Sequence, residues 1–163
     1  AVKDLDSINE LTFEMHNHLG ALVSIKFKKQ DLADEMYEDE EDLKNVYVAE
    51  EDAQVVGYMA FSKEVHENEF FGKYYHLYHI AVKQRFRRKG VASKLFSILL
   101  RKAKKENVNI VTETFCLNKD ALKFLSKMEF KPIETVLILD NLKRLKLLRD
   151  KVLWKGTTRD DKP

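Results

Sequence analysis

Three side chains in this sequence have types and placements suited to moving a proton: His76, Tyr78 and Glu113. Histidine titrates nearest neutral pH, so it is the first choice for a base that must take a proton from a nucleophile. His76 lies in the apolar run YYHLYHIAV, Tyr74 to Val82. Strict strand alternation puts it on one face with Tyr78, Ile80 and Val82, and puts His79 on the other. Tyr78 carries a phenolic proton. Glu113, on a later strand-like run, is the reserve base. The plainer readings are a structural histidine and a solvent-facing carboxylate.

Backbone chemistry is suggested by the turn after that run, KQRFRRKGVASKL. A strand, a tight turn with small residues and a helix N-terminus make an anion site. The first helical N–H groups have no intrahelical acceptor, and the helix dipole favours negative charge there. Gly90 and Ala92 leave room for a phosphate, and Arg85, Arg87, Arg88 and Lys89 add positive charge. The plain alternative is a solvated basic turn capping a helix. Neither G-x-G-x-x-G nor G-x-x-x-x-G-K-[ST] occurs, so this is not one of the two common nucleotide loops.

The elements that must position these groups follow from periodicity. Residues 4–19 are expected to form a helix, with Leu5, Ile8, Leu11, Met15 and Leu19 on one side. Residues 29–44 are expected as an acidic helix or helix-loop. Asn45–Asp52 and Gln54–Val65 should form a hairpin turning near Glu51 and Asp52, and Tyr74–Val82 a central strand. Val91–Lys105 should be a helix with Val91, Leu95, Phe96, Leu99, Leu100 and Ala103 inward. A strand over Asn109–Phe115, a helix over Asn118–Met128 with Ala121, Leu122, Leu125 and Met128 inward, and a β-rich run over Phe130–Leu139 follow. Leu142–Trp154 reads as a basic amphipathic helix, and the last residues as a flexible tail.

The chain has 163 residues, enough for one domain with a substantial core. Net charge is only +2, but residues 31–42 hold eight acids and no base, whereas 83–105 hold ten Lys or Arg and no acid. The acidic run would attract a cationic ligand, unless it is merely a solvated surface. The single cysteine, Cys116, excludes an intrachain disulfide, is expected to be a small buried side chain, and suits a reducing cytoplasmic setting. No run approaches the roughly 20 apolar residues of a membrane span. No metal-ligand spacing is present among the histidines and the cysteine. The start at AVKDLDSINEL carries no secretory signal and no initiator Met, which suggests a missing first strand.

The spacing Arg87-x-x-Gly90-x-Ala92, set between strand and helix, resembles the [QR]-x-x-G-x-[GA] signature of the GNAT acyltransferases. The order helix, helix, three strands, helix, strand, helix, strand is similar to theirs over residues 4–140. The resemblance implies an α/β fold whose mixed sheet splays between two parallel strands, here Tyr74–Val82 and Asn109–Phe115, with flanking helices. It implies that coenzyme A enters the splay. The backbone of Ile80, Ala81 and Val82 would bond the pantetheine arm. Arg87, Arg88, Lys89, Gly90, Val91, Ala92 and Ser93 would hold the pyrophosphate, with Arg85 and Lys89 near the 3′-phosphate. Asn118, opening NKDALKFLSKMEF, resembles the family's coenzyme-binding Asn, though it is also a good helix N-cap.

Two departures stand out. The family's Gly before Phe is Glu129, and the Tyr that reprotonates the thiolate falls at Leu125. A thiol with a pKa of ~8.5 leaves without strong acid help, so water or Tyr78 would supply the proton. In related branches a histidine or glutamate matches His76, and a histidine matches Tyr78. The implied activity is acetyl-CoA-dependent N-acetylation of an amine by direct transfer, on a small molecule or peptide, with no metal. A cationic acceptor and a homodimer are further expectations of the resemblance. A non-catalytic acyl-CoA-binding protein is the alternative. A nucleic-acid module using residues 83–105 and 142–155 is disfavoured, because aromatic residues are not interleaved with the basic ones.

Overall fold

The computed structural model describes residues 4–38, 42–65 and 72–133. Helix α1 spans Leu5–Leu22, followed by two short 3₁₀ stretches, Lys29–Glu35 and Asp42–Asn45. The expected acidic helix is therefore a helix-loop. Strands β1 (Val46–Glu51) and β2 (Gln54–Val65) form the hairpin. Its two turn residues, Asp52 and Ala53, both have positive φ, the backbone that lets a two-residue turn follow strand twist. Strand β3 spans Lys73–Val82, helix α2 Val91–Glu106, strand β4 Asn109–Val111 and helix α3 Lys119–Lys127. The sheet order is β1-β2-β3-β4, antiparallel except for the β3–β4 pair, which is parallel.

The helices pack on opposite faces of the sheet. On one, Leu95, Phe96, Leu99 and Ala103 of α2 bury against Met59, Phe61, Tyr75 and Leu77, and Ile80, Phe124, Met128 and Phe130 pack around them. On the other, Ile8 and Leu11 of α1 bury against Val55, Tyr58, Ala60 and Ala81. Thr12 ties α1 to the sheet through polar bonds. Its hydroxyl donates to the Ile8 carbonyl at 2.9 Å and accepts from the Tyr58 hydroxyl at 2.6 Å. The Tyr58 oxygen must then accept from His79 Nδ1, 3.1 Å away, which fixes the Nδ1–H tautomer.

Several expectations change. Leu100 and Leu122 face outward, each 37% exposed, and Phe124 takes the inward role in α3. Cys116 is exposed, because it lies in the turn that opens α3 rather than in the core. The second parallel strand ends at Val111 instead of Phe115, and just past its end the Thr112 hydroxyl donates to the Leu77 carbonyl at 2.9 Å. No strand forms over 130–133; residues 134–139 of that expected run, and the expected helix 142–154, lie outside the described residues.

Helix-end geometry explains the Glu129 departure. The Phe130 N–H reaches back to the Leu125 carbonyl and the Glu129 N–H to Ser126, each at 3.0 Å, leaving Glu129 at φ +67°. This closure of the helix end prefers a glycine in the left-handed position, which accounts for the Gly that the resemblance expects there. Helix α2 ends the same way with Asn107 at φ +53°, a residue that tolerates the conformation better.

Candidate functional site

Strand β3 does not alternate strictly. Ala60 of β2 pairs with His79 but Phe61 pairs with Leu77, so Tyr78 is an extra residue in a bulge. The bulge resets the faces. Tyr74, His76 and Tyr78 lie on the α1 side, and His79 joins them there beside Tyr58 and Tyr37. Ile80 instead packs on the α2 side. The expected common face of His76, Tyr78, Ile80 and Val82 is thus broken after Tyr78, and His79 is not on the opposite face from His76.

The centre of the α1-side group is Glu64, a residue that the sequence reading did not single out. It lies near the end of β2, where Glu64 pairs with Tyr74 and Ser62 with His76. Its Oε1 accepts from the Ser62 hydroxyl at 2.8 Å and from the Tyr78 hydroxyl, and its Oε2 accepts from the Tyr74 hydroxyl at 2.9 Å. His76 Nδ1 lies 3.4 Å from Oε1. The Tyr78 bond, with those of Ser62 and Tyr74 and the charge of His76, holds the carboxyl down to about 2. Burial and the same carboxylate push the Tyr78 phenol above its ordinary range. The His76 and Tyr78 rings are tilted on one another with centroids 4.3 Å apart. Glu113 is exposed, two residues past the end of β4. One strand residue missed in this way was recoverable from alternation along FSKEV, but only with the β2–β3 register known.

His79 is half-buried, and its desolvation, with the His16 charge, lowers its pKa to about 4. The His16 and His79 rings meet edge to face at 5.6 Å. This histidine is a neutral structural group between α1 and the sheet.

The other half of the site is where β3 leaves β4. Their ladder covers only Tyr74, Tyr75 and His76 against Asn109, Ile110 and Val111, and β3 then runs on to Val82. A 3₁₀ turn, Gln84–Phe86, leads to Gly90 at φ +84° and directly into α2. Gly90 adopts that backbone at no steric cost, and a Cβ placed on it would meet no atom within 4 Å, so the space before the helix is open. The first intrahelical bond is Lys94 N–H to the Gly90 carbonyl at 3.0 Å, and no side chain caps the end. The N–H groups of Val91, Ala92 and Ser93 therefore precede the helical ladder and suit an anion.

The basic residues divide between tasks. Arg87 Nε donates to the Val82 carbonyl at 2.9 Å, fixing the turn onto the strand end. Arg88 is exposed with φ +65°. Arg85 donates to Gln54 Oε1 at 2.7 Å, and it and Lys89 lie over the Phe86 ring, at 4.7 and 5.1 Å. Together with Glu51 and Asp52 they line an open pocket of about 380 Å³ beside the hairpin turn. Asn118 Oδ1 accepts from the Ala121 N–H at 3.2 Å, the N-cap geometry. Leu125 is half-buried in α3. Among the described residues no group of three His, Cys, Asp or Glu side chains is placed to hold a metal, and no helix is long and apolar enough to cross a membrane.

Solved structures of the same fold exist. A transcriptional regulator from Bacillus halodurans C-125 is 18% identical, with a TM-score of 0.63 over 85% of this chain and 94% of its own. The aminoglycoside N-acetyltransferase AAC(6')-Iy, in complex with CoA, is 20% identical, with a TM-score of 0.61 over 84% and 88%. An integron cassette protein from V. cholerae is 18% identical, with a TM-score of 0.58 over 87% and 89%. No curated protein matches the sequence significantly. The acetyltransferase (GNAT) family model matches residues 7–130, most of the chain, and the protein belongs to that family.

Proposed function

We propose that this protein transfers an acetyl group from acetyl-CoA to a primary amine of a small molecule or peptide. The observation that carries the reading is the early end of the β3–β4 ladder. Past His76, strand β3 runs without a β4 partner toward a helix N-terminus opened by Gly90. A thin acyl arm fits along such a strand, and a pyrophosphate fits the N–H groups of Val91, Ala92 and Ser93. The CoA carried by the aminoglycoside acetyltransferase of the same fold supports this assignment.

In this reading the backbone of Ile80, Ala81 and Val82 binds the pantetheine arm and polarises the thioester carbonyl. His76 takes the proton from the amine. With Nδ1 turned to Glu64, Nε2 is the nitrogen available for that proton. Tyr78 is a weaker acid than a free phenol, since desolvation and the bond to Glu64 both hold its proton. Water is therefore the better source for protonating the departing thiolate. Glu113 remains the reserve base, and Asn118 caps α3 beside the cofactor path.

A thiol-release assay with acetyl-CoA and a panel of polyamines, aminoglycosides, amino acids and peptides tests the reading. Amine-dependent release with a matching acetylated product is expected. CoA binding without turnover on any amine would instead favour a non-catalytic acyl-CoA-binding protein, the reading that Leu125 in place of a tyrosine supports. Failure to bind CoA would refute both.

A further inference from the structure

We propose that the Glu64 carboxylate, with the rings of Tyr74, His76 and Tyr78 around it, is a binding subsite for an alkylammonium group, so that the acceptor is captured as its cation. The proposal rests on the acetyl-transfer reading for its place beside His76, but the subsite itself is argued from hydrogen-bond accounting. A carboxylate has about four acceptor positions. At Glu64, Oε1 takes Ser62 and Tyr78 and faces His76 Nδ1 at 3.4 Å, and the partner of Oε2 among the described residues is Tyr74. One acceptor position on Oε2 remains for a ligand N–H.

The charge has no fixed cationic partner, because His76, the one cationic candidate at the carboxylate among the described residues, is neutral when it acts as the base. The partners of Glu64 are three neutral hydroxyls and His76, and no Lys or Arg neutralises it among the described residues. Neutral donors stabilise the anion without cancelling its field. The Glu64 side chain is 30% exposed and Tyr78 49%, so a ligand can reach them. The His76 and Tyr78 rings, with centroids 4.3 Å apart and Tyr78 half exposed, border the carboxylate and offer the π-surface that an ammonium prefers. A neutral amine or an alcohol can fill the acceptor position but gains neither the charge attraction nor the cation–π contact. Capture as the cation also places the proton to be removed beside His76, which lies 3.4 Å from the same carboxylate.

The test is a titration of the protein, without acetyl-CoA, by n-butylammonium chloride, with n-butanol as the neutral isostere and sodium chloride at matched ionic strength. The readout is the aromatic NMR signals of Tyr74, His76 and Tyr78. Saturable shifts at these rings with the ammonium alone are expected, and Glu64→Gln should bind it roughly tenfold more weakly or worse. Equal shifts with butanol, shifts confined to other residues such as 31–38, or unchanged affinity in folded Glu64→Gln would overturn the proposal. If Glu64→Gln does not fold, the wild-type shift map decides by the same criteria. Ammonium binding here with no acetyl transfer to any amine would refute the transferase reading alone.

Discussion

Gly90→Asp separates the anion cradle from the fold. Gly90 has φ +84°, where a side chain normally costs roughly 1–2 kcal/mol, and Asp is among the residues that tolerate it best. The stiffer unfolded chain returns about 0.5–1 kcal/mol. A carboxylate at the start of α2 gains a further ~0.3–1 kcal/mol from the helix dipole. No steric term is added, because a Cβ at this position meets nothing within 4 Å. The net effect on stability is therefore expected to be within about 1 kcal/mol. Binding should respond far more. A new negative charge about 4 Å from a pyrophosphate oxygen, at an effective dielectric near 20, opposes it by up to about 4 kcal/mol. CoA affinity should fall by up to about a thousandfold. Chemical denaturation measures the first quantity and calorimetry with CoA the second. A folded Gly90→Asp protein that binds CoA as tightly as wild type would refute the cradle.

Other expectations follow from single groups. His76→Ala should lower kcat by roughly 10²-fold or more while leaving CoA affinity nearly unchanged, and the acidic limb of the pH–rate profile should vanish; a limb that persists unchanged assigns the base elsewhere, with Glu113 next. His79 is neutral when folded, with its pKa lowered from 6.5 to about 4, so its contribution is complete above pH 6.5 and is lost as the pH falls toward 4. That loss amounts to at most about 3 kcal/mol, and urea midpoints should fall more steeply over this window in wild type than in His79→Gln. Glu64, held at about 2 instead of 4.5, acts over a lower window: its contribution is present above pH 4.5 and disappears between 4.5 and 2, so Glu64→Gln should flatten acid unfolding there. Glu129→Gly removes a left-handed side chain from the end of α3 and should raise stability by about 0.5–1 kcal/mol in denaturant melts; a loss of stability would show that the Glu129 side chain contributes contacts outweighing its backbone strain.

What the amino-acid sequence determined was whatever depends on local spacing. Leu95, Phe96, Leu99 and Ala103 recur with helical period, and they are the face that α2 buries. Tyr74–Val82 is apolar enough to be central, and it lies between β2 and β4. The turn to Gly90 ends in a helix N-terminus because glycine and the following helix formers specify it residue by residue. Tertiary structure decided the chemistry-bearing neighbours. Alternation assigned His79 to the wrong side, since the extra residue at Tyr78 arises from the pairing of Ala60 and Phe61, which no pattern within β3 encodes. The parallel strand stops at Val111, and there Thr112 instead meets a carbonyl 35 residues away in sequence, at Leu77. Glu64 was passed over for the same reason: a strand carboxylate looks like a solvated surface charge until the antiparallel register sets it against Tyr74 and brings Ser62, His76 and Tyr78 within its reach.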